Sequence, residues 1–301
     1  MHFSKGDLME NQNASKKPYL KKPDWLKVKI QNPKNLSGVN SLIQSLNLNT
    51  VCQGANCPNR LECFSKKTAT FMILGSTCSR NCRFCNIESG KLLPPDIDEP
   101  YRLAKAVAEL GLKHAVVTSV TRDDLPDGGA GHFAQTIKEI RKAAPNTVIE
   151  VLIPDFQGNF EALKTVVAAK PDIINHNVET VPRLYDTIRP EADFKQSLEL
   201  LVRVKALDDT IFTKSGFMLG LGEEVDEVNQ LILELKATGL DILTIGQYLP
   251  PSEKHAPLIA YIHPDQFDAY GAYAKSIGVP NVASAPLVRS SYNAAETFNN
   301  F

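Results

Sequence analysis

No cysteine occurs downstream of residue 85, although the chain runs to 301 residues; all six lie at positions 52, 57, 63, 78, 82 and 85. A chain this long builds its own core, so that distribution excludes a disulfide-stapled scaffold and confines thiol chemistry to one short window. Excess charge is lacking as well. The formal net charge is -1, which argues against a long polyanion such as a nucleic acid as the main partner. No run approaches the roughly 20 apolar residues of a membrane span, and residues 1–30 have no apolar signal core. The expected location is therefore cytoplasmic, with no membrane contact. Arginine is absent from the first 34 residues, which hold eight lysines (5, 16, 17, 21, 22, 27, 29 and 34) against Asp7, Glu10 and Asp24. Without arginine this arm is a poor transit peptide. It reads as a solvated basic segment or as a docking strip for an acidic protein.

What is present is a regular alternation. Residues 68–74, 114–120, 147–153, 171–178, 212–220, 241–249 and 281–288 read as strands, several of them continuously apolar and β-branched, as strands covered on both faces are. Between them, residues 99–111, 131–144, 161–169, 194–208, 223–239 and 264–277 read as helices, with Pro100 opening the first and Gly111 stopping it. A strand and a helix recur about every 30–35 residues, which predicts parallel strands and right-handed crossovers. Six or seven units fit a barrel, complete or partial, or an open sheet. Polar residues collect after the strands, in TSVTRDD, NHNVET, GLGEE and YLPPSEKH. Those ends are where such folds build their sites. The expected divisions are a flexible basic arm (1–45), a cysteine segment (46–68), the α/β body (69–286) and a tail (287–301).

The run STCSRNCRFCN places Cys78, Cys82 and Cys85 directly after the first predicted strand of that body. The spacing C-x3-C-x2-C lets three thiolates take three corners of an iron–sulfur cubane, leaving one iron open to a chelating small molecule such as S-adenosylmethionine (SAM). The upstream set Cys52, Cys57 and Cys63 (C-x4-C-x5-C) is a second incomplete trio. Zinc knuckles, or one zinc site pooling both sets, are the alternatives that spacing leaves open.

At these residues the sequence resembles the lipoyl synthases, a family of the radical SAM superfamily. The resemblance spans about 50–293 and includes both trios, ATFMILG, VTSVTRDDLPDGGA, NHNVETVPRLY followed by IRP, KSGFMLGLGE, YLPPS and RSSY. It implies a partial (β/α)6-type TIM barrel with an N-terminal cysteine-containing extension and a short C-terminal tail closing the site. It further implies that Cys78, Cys82 and Cys85 hold a reducing 4Fe–4S cluster beside Phe84. Cys52, Cys57 and Cys63 would hold an auxiliary 4Fe–4S cluster whose fourth ligand is Ser291. Residues 216–223 resemble the superfamily's adenine-contacting pattern, with Gly216 and Gly220 allowing close backbone approach. Asn177 and Glu179 are candidates for the ribose, Thr121 and Asp123 for the methionine end, and Arg289 for orienting Ser291 or the substrate. His176 and His255 read as scaffold.

The implied reaction inserts two sulfur atoms, at C6 and C8, into an octanoyl chain amide-linked to a lysine of a lipoyl carrier domain or glycine-cleavage H protein. Those carbons have no acidic proton for a base to remove, so hydrogen-atom abstraction is required. An electron donor such as flavodoxin or ferredoxin, and iron–sulfur assembly proteins, are the further partners implied. The sequence departs from the family at Ser76, Asn86-Ile87 and Asn293, none of them an expected ligand. The rival readings are another sulfur-inserting radical enzyme of the methylthiotransferase kind, which usually carries an RNA-binding domain after the barrel, and a non-catalytic iron–sulfur or zinc module.

Overall fold

A computed structural model describes residues 21–26, 36–51 and 70–291. One eight-stranded sheet forms the body, in the order β1 (Asn49–Thr50), β2 (Thr70–Ile73), β5 (His114–Ser119), β6 (Val148–Leu152), β7 (Ile173–Asn175), β8 (Phe212–Leu219), β9 (Ile242–Gln247) and β10 (Asn281–Ser284). All neighbours are parallel except β1 on β2. A separate parallel ladder joins β3 (Thr77–Cys78) to β4 (Glu88–Ser89). Among the described residues no pairing closes β10 onto β1 or β2, so the barrel is partial, as expected.

Helices fill the crossovers: α2 (Glu99–Leu110), α3 (Ala130–Ala143), α4 (Phe160–Ala168), the short α5 (Tyr185–Ile188) with α6 (Phe194–Leu207), α7 (Val225–Ala237) and α8 (Pro264–Ser276). Their ends carry the expected signals. Gly111 adopts the left-handed conformation that stops α2 (φ 59°). Asn159 Oδ1 accepts from Ala162 N at 3.1 Å to start α4. Asp193 Oδ1 accepts from Gln196 N at 2.7 Å to start α6. Each satisfies a helix-end group that would otherwise lack a partner. The outward strand residues Phe71, Ile149, Ile174 and Leu243 pack under these helices with Phe133 and Phe267, all fully buried or nearly so. A preceding helix, α1 (Leu36–Ser45), sends Ile43 into the same core. The end of the expected basic arm therefore packs on the barrel.

Inward-facing positions differ along the barrel axis. Near the amino ends of the strands, Lys214 Nζ meets Glu150 Oε1 at 2.9 Å, His114 Nε2 lies 3.1 Å from Glu150 Oε2, and Asn175 Nδ2 donates to Glu150 Oε1 at 3.2 Å. Burial opposes the Glu150 charge, but Lys214 and His114 outweigh it and hold the carboxyl down to about 2. At the carboxyl ends the interior opens into two adjoining cavities. After β10 the tail crosses the open side: Gln247 N donates to Pro286 O (3.2 Å), and Thr70 Oγ1 on β2 donates to Ser291 Oγ (2.8 Å). The tail lies so close to β9 that a Cβ on Gly246 would overlap the Val288 carbonyl.

Candidate functional site

Cys78, at the end of β3, and Cys82 and Cys85, in the turn that follows, line one cavity of about 350 Å³ with Phe84, Thr121, Asn177, Glu179 and Arg189. None of the three thiols is in a disulfide. Two backbone N–H groups point at Cys78 Sγ, Thr121 N at 3.3 Å and Arg80 N at 3.4 Å. Burial pushes the Cys82 thiol up to about 12, with Arg189 opposing and Cys85 reinforcing the shift. Burial likewise pushes Cys85 up to about 11 against a hydrogen bond from the Ile87 backbone. Left bare, these thiols stay protonated, and a metal centre must displace their protons to bind.

Among the described residues, no three His, Cys, Asp or Glu side chains converge as a single-ion site. The thiols instead share a cavity wall, and Cys78 and Cys85 receive N–H···S bonds, which suits a cluster held at several corners. The residues present therefore fit a cubane. Cys52, Cys57 and Cys63 lie outside the described residues.

Another part of the cavity wall is built from the segment after β7. Asn177 Nδ2 donates to Glu179 Oε1 (3.0 Å) and to Ser290 Oγ (2.7 Å). Glu179 has φ +67°, a conformation fixed by its bridge to Phe217 on β8. Burial raises the pKa of its carboxyl, and the Arg189 charge opposes that rise. Arg189 is 8 % exposed; its Nη1 donates to Asn177 O and Tyr185 Oη, both at 2.9 Å. Several buried side-chain polar atoms lack a partner among the described residues. Four belong to residues lining the cysteine cavity: Ser119 Oγ, His176 Nε2, Asn177 Oδ1 and Arg189 Nε. Unpaired buried groups are costly unless a ligand completes them. Here an acceptor and a charged donor stand ready for a hydroxyl and a carboxylate.

The other expected residues divide. Thr121 reaches the cavity, and its carbonyl accepts from Ser79 N (2.9 Å). Asp123 does not line the cavity; both of its oxygens are held by Arg80. Gly216 lines the second cavity, where a Cβ would strike the Thr244 hydroxyl. Gly220 lines neither cavity; its φ of +107° and its packing against Gln247 and Ala260 make it a turn residue. Arg289 borders both cavities and donates to Val288 O at 2.6 Å. His176 donates through Nδ1 to Ile153 O (2.9 Å) as the neutral tautomer, its pKa held down to about 4 chiefly by burial and then by Arg189. His255 bridges Ser252 Oγ and the Cys85 carbonyl. Sequence reasoning quoted Arg189 in IRP but gave it no role, and it passed over Thr70 and Arg80.

The second cavity, about 480 Å³, adjoins the first through Phe84, Asn177 and Met218 and ends at Thr70, Ser290 and Ser291. Its walls are largely apolar, with Leu152, Phe217, Leu249 and Val288 among them.

A partial parallel barrel with a three-cysteine loop after its first strand defines a class. The profile of the Radical SAM superfamily matches residues 72–235, more than half of the chain. Among solved structures, HydG, a maturase of FeFe-hydrogenase, superposes with a TM-score of 0.57 at 18% identity, covering 71% of this chain and 50% of that one. SuiB of Streptococcus suis bound to S-adenosylmethionine gives 0.51 at 10% identity, covering 81% and 58%. These structural likenesses show the fold alone. Curated relatives go further. Lipoyl synthase of Alkaliphilus metalliredigens is 61% identical over 276 residues, 92% of this chain and 95% of that protein. Lipoyl synthase of Oleidesulfovibrio alaskensis is 56% identical over 278 residues, 92% and 95%. The chain belongs to the lipoyl synthase family.

Proposed function

We propose that this chain inserts sulfur at C6 and C8 of an octanoyl group carried on a lysine of a lipoyl carrier domain or H protein, as a lipoyl synthase. One observation carries the reading. The three thiols line one cavity with Asn177 Oδ1 and Arg189 Nε, which lack a partner among the described residues, and an adjoining apolar cavity is lined by Ser291. The two 4Fe–4S clusters and SAM, when bound, supply the reducing electron, the deoxyadenosyl radical and the sulfide. Everything else falls to the chain.

Cys78, Cys82 and Cys85 would hold the reducing cluster, with Phe84 lining both cavities beside them. Asn177 Oδ1 and the Glu179 carboxylate accept from the ribose hydroxyls. Arg189 takes the methionine carboxylate; its charge already acts on Cys82, so the carboxylate is held beside the thiol wall. Gly216 gives the adenine access to the β8 backbone. The apolar walls suit an eight-carbon chain and hold its methylene groups out of solvent. Ser291, held by Thr70, would supply the fourth ligand of the auxiliary cluster beside Cys52, Cys57 and Cys63, and its oxygen would be a harder, more easily released donor than a thiolate. Arg289 borders both cavities and orients the tail through Val288 O. Among the described residues no helix is long and apolar enough to cross a membrane. We place the reaction in the cytosol, with a flavodoxin- or ferredoxin-type donor and iron–sulfur assembly proteins as partners.

The test is anaerobic reconstitution, expected to yield about eight iron per chain. Mass spectrometry of an octanoyl-lysine peptide after incubation with SAM and reductant should then show a gain of two sulfur atoms. An unchanged peptide from a protein with both clusters intact at the start would reject the assignment.

A further inference from the structure

Arg80 stands between Cys78 and Cys82, yet its side chain lines neither cavity. It is 6 % exposed and grips two carboxylates at once. Nε and Nη2 reach Asp123 Oδ2 and Oδ1 at 2.6 and 3.0 Å, while Nη1 and Nη2 reach Asp155 Oδ2 and Oδ1 at 2.8 and 2.6 Å. Asp123 follows β5, and Asp155, with a wholly buried side chain, follows β6. One guanidinium thus makes two forked contacts, a geometry that the point charge of a lysine cannot reproduce.

The rest of the loop shows what this grip is for. Residues 78–80 are tied to the segment after β5 by Ser79 N to Thr121 O (2.9 Å), Asp123 N to Ser79 Oγ (3.1 Å) and Thr121 N to Cys78 Sγ (3.3 Å). Residues 83–85 are tied to other elements, by Arg83 N to Ile188 O (2.9 Å), Ala256 N to Arg83 O (2.7 Å) and His255 Nε2 to Cys85 O (3.1 Å). The thiol-bearing turn is therefore suspended between two sets of anchors, and Arg80 is its link to the segment after β6.

We propose that Arg80 is a positioning residue: by bridging Asp123 and Asp155 it fixes the arch from Cys78 to Cys82, so that the three thiols are set in place before a cluster binds. The inference rests on the reading that these thiols hold a cluster. Losing the bridge leaves all three ligands present but lets their spacing vary.

The test uses the full-length chain with Cys52, Cys57 and Cys63 replaced by Ala, so that any iron retained belongs to residues 78–85. Arg80→Lys keeps the charge and loses the forks. It is expected to release iron to excess chelator about ten-fold faster than its parent. The electron paramagnetic resonance signal of the reduced cluster, sharp and shifted by added SAM in the parent, is expected to broaden and to shift incompletely. The melting temperature should stay close to the parent's, which separates positioning from a general loss of stability. Unchanged iron release with an unchanged SAM-induced shift overturns the proposal. If Arg80→Lys does not fold, Asp123→Asn decides, since it removes one fork at a partly exposed carboxylate. About three-fold faster release is expected there, and no change overturns the proposal. A parent that holds no iron would instead sink the cluster reading, and this inference with it.

Discussion

The two ends of the barrel interior treat charge in opposite ways. At the amino ends of the strands Lys214 and Glu150 are paired directly at 2.9 Å, and His114 and Asn175 complete the carboxylate. At the carboxyl ends Arg189 and Glu179 stand in the same wall, yet among the described residues the side-chain hydrogen bonds of each go to neutral groups: Arg189 to Asn177 O and Tyr185 Oη, and Glu179 to Asn177 Nδ2. Asn175 and Asn177 stand two positions apart, and one serves each end. A buried pair that satisfies itself plugs the barrel, whereas charges held apart are a binding site awaiting its ligand. Burial opposes the charge in both places: at Glu150 Lys214 and His114 outweigh it and the pKa falls, whereas at Glu179 it outweighs Arg189 and the pKa rises.

The largest effect expected from this contrast is at the closed end. Lys214→Met leaves Glu150 buried without its cation and should cost about 3–5 kcal/mol in denaturant unfolding. Adding Glu150→Gln should restore part of that loss, and SAM affinity of the folded protein should not change. Arg189→Met should do the reverse. SAM binding measured by calorimetry should weaken about 10- to 100-fold, with a smaller loss of stability than at Lys214. Equal behaviour of the two variants in both assays would erase the distinction.

The third expectation concerns pH. Because His176 is held down to about 4, below its ordinary 6.5, the unfolded chain binds the proton first as the medium is acidified. Stability is complete above the unfolded value and falls as pH drops toward the folded one. From about pH 7 to about pH 5 the loss should be about 2 kcal/mol in urea unfolding. His176→Gln should flatten that slope. The smallest effect is at Ser290→Ala, which removes the 2.7 Å bond from Asn177 and should change SAM affinity by less than about ten-fold. A larger change would mean that the tail belongs to the SAM site.

Much of the fold was legible because strands covered on both faces must be apolar throughout, and 114–119, 148–152 and 242–247 are strands where such runs were read. The edge strand β1 and the β3–β4 ladder were missed, since two residues carry no periodicity. The charges in TVIEVLI and FTKSGF were a usable signal: a Glu and a Lys inside buried strands need each other. The partner of Asp123 could not be read from the sequence, because Arg80, which holds both of its oxygens, lies 43 residues earlier in the chain. Gly220 matched a motif, yet its position in the fold is a turn.

Local order along the chain determined the alternating units, their caps and the thiol loop after the first barrel strand, because periodicity, spacing and turn chemistry act over a few residues. The assignment of Asn177, Glu179 and Arg189 to one wall, of Arg80 to two distant carboxylates and of Ser291 to Thr70 was decided only by tertiary structure. Curling a parallel sheet brings the carboxyl ends of strands far apart in the chain to one mouth, and the pairing of buried charge there depends on distance in space.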